Sequence, residues 1–101
     1  VTVLYIAGPM TGLKDFNRPA FYAAQIRLIE AGFGTINPAD HVAEDWTGYM
    51  RLGVAAVTRA DGVALLPGHE NSAGVRLERQ VALALGIPVD SVDAWLNLVS
   101  T

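Results

Sequence analysis

"ADGVALLPGHENSAGVRLERQVALALG", residues 60–86, contains a whole strand-loop-helix unit. "GVALLP" is a short apolar run that breaks at Pro67-Gly68, as a buried strand does. "SAGVRLERQVALALG" then has helical spacing, with Ser72 as N-cap and Gly86 as C-terminal stop. Between them "PGHENSAG" collects glycine and unpaired polar residues. A strand feeding a helix through such a loop is the repeating unit of an α/β domain, which implies further copies along the chain.

They are found on both sides. "TVLYIA" is rich in β-branched and aromatic residues and stops at Gly8-Pro9. "RPAFYAAQIRLIEAG" opens with Pro19, ends at Gly32, and carries apolar residues at Phe21, Ala24 and Leu28 and again at Tyr22, Ile26 and Ile29. "FGTIN" is a weaker strand ended by Pro38. "TGYMRLGVAAVTRA" reads as a second helix despite Gly53, which costs a helix about 1 kcal/mol relative to alanine. After Gly86, "IPV" begins a fourth strand, and "SVDAWLNLV" is a short amphipathic helix capped by Ser91. The order β-α-β-α-β-α-β-α predicts one α/β domain over residues 1–101, with a parallel sheet of about four strands flanked by helices.

Composition narrows the function classes. The chain has 101 residues, 51% of them hydrophobic and 17% charged, enough for one core and too few for two. No apolar run approaches the roughly 20 residues of a membrane span, and "VTVLYIAGPM" lacks a basic leader, so a cytoplasmic protein with no membrane partner is expected. There are no cysteines, and His41 and His69 have no metal-ligand spacing, so neither disulfide, metal nor cofactor is expected. A net charge of -3 with seven scattered Lys and Arg argues against binding a nucleic-acid polymer.

In open α/β sheets ligands bind beyond the carboxyl ends of the strands, which points to the loops after the first three strands. In the first, Gly8-Pro9-Met10-Thr11-Gly12 either ends the strand in a plain turn or brings backbone N–H groups close to phosphate or sugar oxygens. It is neither a dinucleotide fingerprint nor a P-loop. In the third, Ser72 either only caps its helix or joins the free N–H groups and dipole there in holding an anion, with Gly74 clearing space. Glu78 lies one turn beyond Gly74 on the same helix face. It is either a solvated carboxylate or one placed for chemistry.

Three motifs carry a resemblance: "YIAGPMTG" (residues 5–12), "ADGVALLPG" (60–68) and "NSAGVRLERQVALALGIPV" (71–89). Together they look like the nucleoside 2-deoxyribosyltransferase-like superfamily, which has a Rossmann/flavodoxin-like fold. The closest likeness is to its small, often phage-borne branch carrying a domain of unknown function, DUF4406. The resemblance implies that Glu78 is a nucleophile that attacks the anomeric carbon of a nucleoside or nucleotide, expels the base, and passes the sugar to water or another base. A carboxylate suits an oxocarbenium-like transition state. It implies a serine at position 72 that accommodates a 5'-monophosphate, with Arg18 or Arg76 either as counter-charges or as surface residues. Tyr5 lies by the sugar or in the core, and Trp46 and Tyr49 stack on a base or close a core or interface. It also implies a homodimer or larger oligomer, with interfaces around Trp46, Tyr49 and Met50 or around Trp95 and Leu98.

One position departs from the pattern. Members of the superfamily place an aspartate in the second helix, in a segment like "YMRRDL", where it protonates or positions the base. This chain has "YMRLGV", residues 49–54, with Gly53 there. Asp61 is on the wrong edge of the sheet to substitute, leaving Asp45 or Glu70. A glycine inside a helix is also expected to be replaceable, and Gly53→Asp to restore the acid. The alternative is a nucleotide-binding or sensing module with weak chemistry.

Overall fold

In the computed structural model, which describes residues 1–99, the eight expected elements are all present. They are β1 (Val3–Ala7), α1 (Arg18–Glu30), β2 (Gly34–Ile36), α2 (Trp46–Arg59), β3 (Gly62–Leu65), α3 (Ala73–Ala84), β4 (Val89–Ser91) and α4 (Val92–Asn97). The strands form one parallel sheet in the order β2-β1-β3-β4.

Alternation along the central strands builds two cores. Leu4, Ile6, Ala64 and Leu66 face one side and bury Phe21, Ala24 and Leu28 of α1 with Val92 and Trp95 of α4. Tyr5, Ala7, Val63 and Leu65 face the other and meet Ala56 and Val57 of α2 with Val75 and Ala82 of α3. Period two in the strands thus sorts side chains into the two outer layers of an α/β/α sandwich. No helix among the described residues is long and apolar enough to cross a membrane.

Local chemistry sets the helix ends. The Ser72 hydroxyl accepts the Val75 N–H at the start of α3, and Ser91 accepts that of Ala94 at α4. Gly32 and Gly86, with φ of 100° and 70°, carry the chain out of α1 and α3. Asp45 caps α2, its Oδ1 accepting the Gly48 N–H at 2.8 Å, a role its position before the helix allowed but which was not read from the sequence.

The structure shows which apolar side chains are covered. Of the two apolar stripes in α1 only Phe21, Ala24 and Leu28 are buried; Tyr22, Ile26 and Ile29 face outward, because one helix face alone can meet the sheet. Trp95, expected near an interface, packs in the core of the chain itself. It is buried, its Nε1 donates to the Val63 carbonyl at 2.9 Å, and its ring fills the place a Gly62 side chain would need. Leu98 is exposed.

The strand order creates the site. From β1 the chain goes to β2 on one side, then crosses back past β1 to β3 on the other. The carboxyl ends of β1 and β3 are therefore a switch point, where the connecting loops diverge and leave a crevice.

Candidate functional site

A cleft of about 300 Å³ lies in that crevice. The loop after β1 supplies Gly8, Met10 and Thr11, and the segment after β2 supplies Pro38, Ala39, His41 and Asp45. Trp46, Tyr49 and Met50 come from α2, and Ser72, Gly74 and Glu78 from the start of α3. Of the residues expected to bind or react, Tyr5, Gly8, Met10, Asp45, Ser72, Gly74 and Glu78 line this cleft. Pro9 lies outside it, lining a smaller neighbouring depression, and its carbonyl accepts the Asn17 side-chain amide at 3.0 Å.

Glu78 is the unusual residue. It is only 6% exposed, and apart from Asn37 it is the one polar or charged side chain in the buried set of the described residues. The Tyr5 hydroxyl donates to its Oε2 at 2.6 Å. Loss of water on burial raises the Glu78 carboxyl to about 7, and the hydrogen bond from Tyr5 only partly opposes this. Tyr5, itself 2% exposed, is pushed upward first by burial and then by the charge of Glu78. It is a hydrogen-bond donor that keeps its proton. A solvated helix glutamate does none of this, so Glu78 is not a solvated carboxylate.

The glycines act differently from the sequence expectation. A side chain at Gly8 would run into Leu66 at 2.8 Å, so its bareness serves strand packing. The space beside Gly74 is taken by Met50 Sδ, 3.0 Å from where a Cβ would stand. Gly53 is buried against Glu78: a Cβ there would overlap Glu78 Oε2 and lie 3.0 Å from the Tyr5 hydroxyl. The expectation that Gly53 is freely replaceable is therefore corrected, because a residue from another helix occupies its side-chain space.

The charged residues sort clearly. Arg18 lines the cleft, its guanidinium 5.2 Å from the centre of the Phe16 ring, which lines it too. Phe16 was not singled out in the sequence; it sits in a turn where Asp15, Phe16 and Asn17 all have left-handed backbones, φ 53°, 51° and 61°. Arg76 is outside the cleft and donates to the Glu70 carbonyl at 3.0 Å. Glu70 is also outside and near His69, so it is not placed as a substitute acid. Asp61 accepts the Val3 N–H at the amino edge of the sheet, as expected. Burial, with the charge of Arg59, lowers His41 below the usual imidazole value, leaving it neutral at pH 7. No cluster of three His, Asp or Glu side chains is placed to hold a metal ion among the described residues.

Residues 2–91 match the family of the domain of unknown function DUF4406. The chain is a member of that family. No curated protein matches it. Membership in DUF4406 covers β1 through β4 and so includes every residue of the cleft, but lends it no activity.

Proposed function

We propose that this DUF4406 protein cleaves the N-glycosidic bond of cytoplasmic (deoxy)nucleosides or their 5'-monophosphates, or transfers their deoxyribosyl group, with Glu78 as nucleophile. The observation that carries the reading is the Glu78 carboxylate: buried, held by the Tyr5 hydroxyl, and facing a cleft of small-ligand size at the switch point of the sheet. The resemblance of its three motifs to the nucleoside 2-deoxyribosyltransferase-like superfamily supports the same assignment.

In the first step a Glu78 oxygen attacks C1' as the bond to the base nitrogen breaks, and the base leaves with that electron pair. The sugar is then an ester of Glu78. In the second step water, or the nitrogen of another base, attacks C1' and frees the carboxylate. Glu78 must be ionised to attack, so turnover rises with pH through about 7. Tyr5 holds the carboxylate in place, and Trp46 and Tyr49 offer aromatic faces for a base. Incubation with a panel of deoxynucleosides and deoxynucleotides, followed by chromatography for free base, tests the reading; no base released from any substrate would refute it.

A nucleotide-binding or sensing module is the second reading, favoured by one observation: position 53 carries no carboxylate, and the seat beside it is filled by Glu78. Affinity by calorimetry without any base release would establish that alternative.

The reading places the 5'-phosphate at Ser72, the N–H groups that begin α3, and Arg18. Aspartate caps helices as well as serine, so Ser72→Asp is expected to preserve the fold. Repulsion should weaken monophosphate binding about tenfold or more and leave nucleoside affinity nearly unchanged. Equal losses for both ligands would remove the phosphate from this corner.

The reading also expects a second copy of the chain. Trp46 and Tyr49 of α2 are exposed, 55% and 39%, at the cleft, and Leu52 on the same helix is 39% exposed; a neighbour would cover them. Light scattering should report a dimer or larger assembly at micromolar concentration. A monomer that still turns over would remove the neighbour from the site.

A further inference from the structure

Glycine is unfavourable inside a helix, and Gly53 is in the middle of α2. Its backbone does not ask for it, since the left-handed glycines of the described residues are Gly12, Gly32, Gly68 and Gly86. What asks for it is space. The Glu78 carboxyl carbon lies 3.3 Å from where a Gly53 Cβ would stand, Oε2 lies inside that position, and the Tyr5 hydroxyl is 3.0 Å from it.

We propose that Gly53 is a positioning residue for Glu78: the bare backbone of α2 forms one wall of a seat in which the carboxylate meets the Tyr5 hydroxyl, and any side chain at 53 evicts it into the cleft. The consequence for turnover rests on Glu78 being the nucleophile. The consequences for the carboxylate's environment and for stability do not. In its seat the carboxylate is packed between α2, α3 and β1 and loses water, which accounts for its raised titration near 7. Evicted, it is solvated and loses the bond from Tyr5. Other charged or titratable groups facing the cleft are Arg18 from α1, His41 after β2, and Asp45 and Tyr49 at α2; Gly53→Ala leaves all of them unchanged.

Gly53→Ala is the test, read by carbon NMR of labelled glutamate carboxyl groups across pH. The Glu78 midpoint should fall from about 7 by about one unit or more, toward the ordinary carboxylate value. Base release should drop at least about tenfold in kcat with KM little changed, its acid limb moving with the same midpoint. Thermal melting supplies the second arm. In a Glu78→Ala background the seat is empty, so Gly53→Ala should raise the melting temperature as alanine does in any helix; with Glu78 present it should not.

If Gly53→Ala alone does not fold, recovery in the double variant supports the seat, and failure of the double variant as well overturns it. An unchanged midpoint with an equal melting gain in both backgrounds also overturns it. Coupling between the two positions in a protein that releases no base from any substrate would refute the glycosidase reading and leave the role of Gly53 standing.

Discussion

Glu78→Gln is expected to abolish base release, by at least about 10³-fold, and in the same protein to raise stability above neutral pH. The two effects have one origin. A carboxylate buried to 6% exposure is useful to chemistry because it is poorly solvated, and it burdens the fold for the same reason. The Glu78 carboxyl is raised from an ordinary value of 4.5 to about 7, so the folded state keeps its proton where the unfolded chain has lost it. Any stability linked to that proton is fully present below about 4.5 and is lost as pH rises through 7. At 1.36 kcal/mol per unit the loss is up to about 3 kcal/mol. Glutamine keeps a carbonyl to accept the Tyr5 hydroxyl but never ionises. Its melting temperature should therefore match the parent near pH 4.5 and exceed it by up to about 12–24 °C at pH 8. A variant that melts like the parent at both pH values would show that Glu78 is not desolvated as the structure has it. Surviving base release would remove Glu78 from the mechanism.

That prediction depends on contacts whose two halves differ in how visible they are in the chain. The strands of "TVLYIA" and "GVALLP" and the helix boundaries at Pro19, Gly32, Ser72, Gly86 and Ser91 are local signals, each carried by a few neighbouring residues, and all reappear in the structure. So does the loaded edge of the sheet, because β-α alternation alone sends the loops after β1, β2 and β3 to one side. The reason for Gly53 is not local. It lies in Glu78 and Tyr5, from α3 and β1, and a glycine inside a helical pattern looks like a defect until those partners are in place. Helical period likewise offered Tyr22, Ile26 and Ile29 on the same terms as Phe21, Ala24 and Leu28; only the sheet decides which stripe is covered. Trp95 is similar, since its indole N–H finds the Val63 carbonyl through strand pairing that no window of sequence contains. The left-handed turn at Asp15, Phe16 and Asn17 has no glycine to announce it, so Phe16 reached the cleft unexpected.

The proposed chemistry makes a second large prediction, about which bases leave. An ordinary purine or pyrimidine departs as an anion unless a proton is supplied, and a positioned acid is worth about 10²–10⁴ in rate. Among the described residues, the carboxylates lining the cleft are Glu78, already the nucleophile, and Asp45, whose Oδ1 is engaged as the cap of α2. His41 is neutral at pH 7, because burial and Arg59 lower it. Tyr5 is pushed far above its usual range and gives its hydrogen bond to Glu78. Position 53, next to the nucleophile, has no room for an acid while Glu78 holds its seat. Rates should therefore follow the intrinsic leaving ability of the base. Nucleosides whose base is already cationic, such as N7-methylated deoxyguanosine or a nicotinamide riboside, release a neutral base and need no acid. After correction for spontaneous hydrolysis, such substrates should be cleaved at least about 100-fold faster than unmodified deoxyguanosine, and Glu78→Gln should erase both rates. Equal corrected rates would mean that an acid does reach the base. Asp45→Ala then decides whether it is Asp45: a loss confined to the unmodified substrate would identify that residue as the donor, and no loss would point to a group brought by a second copy of the chain.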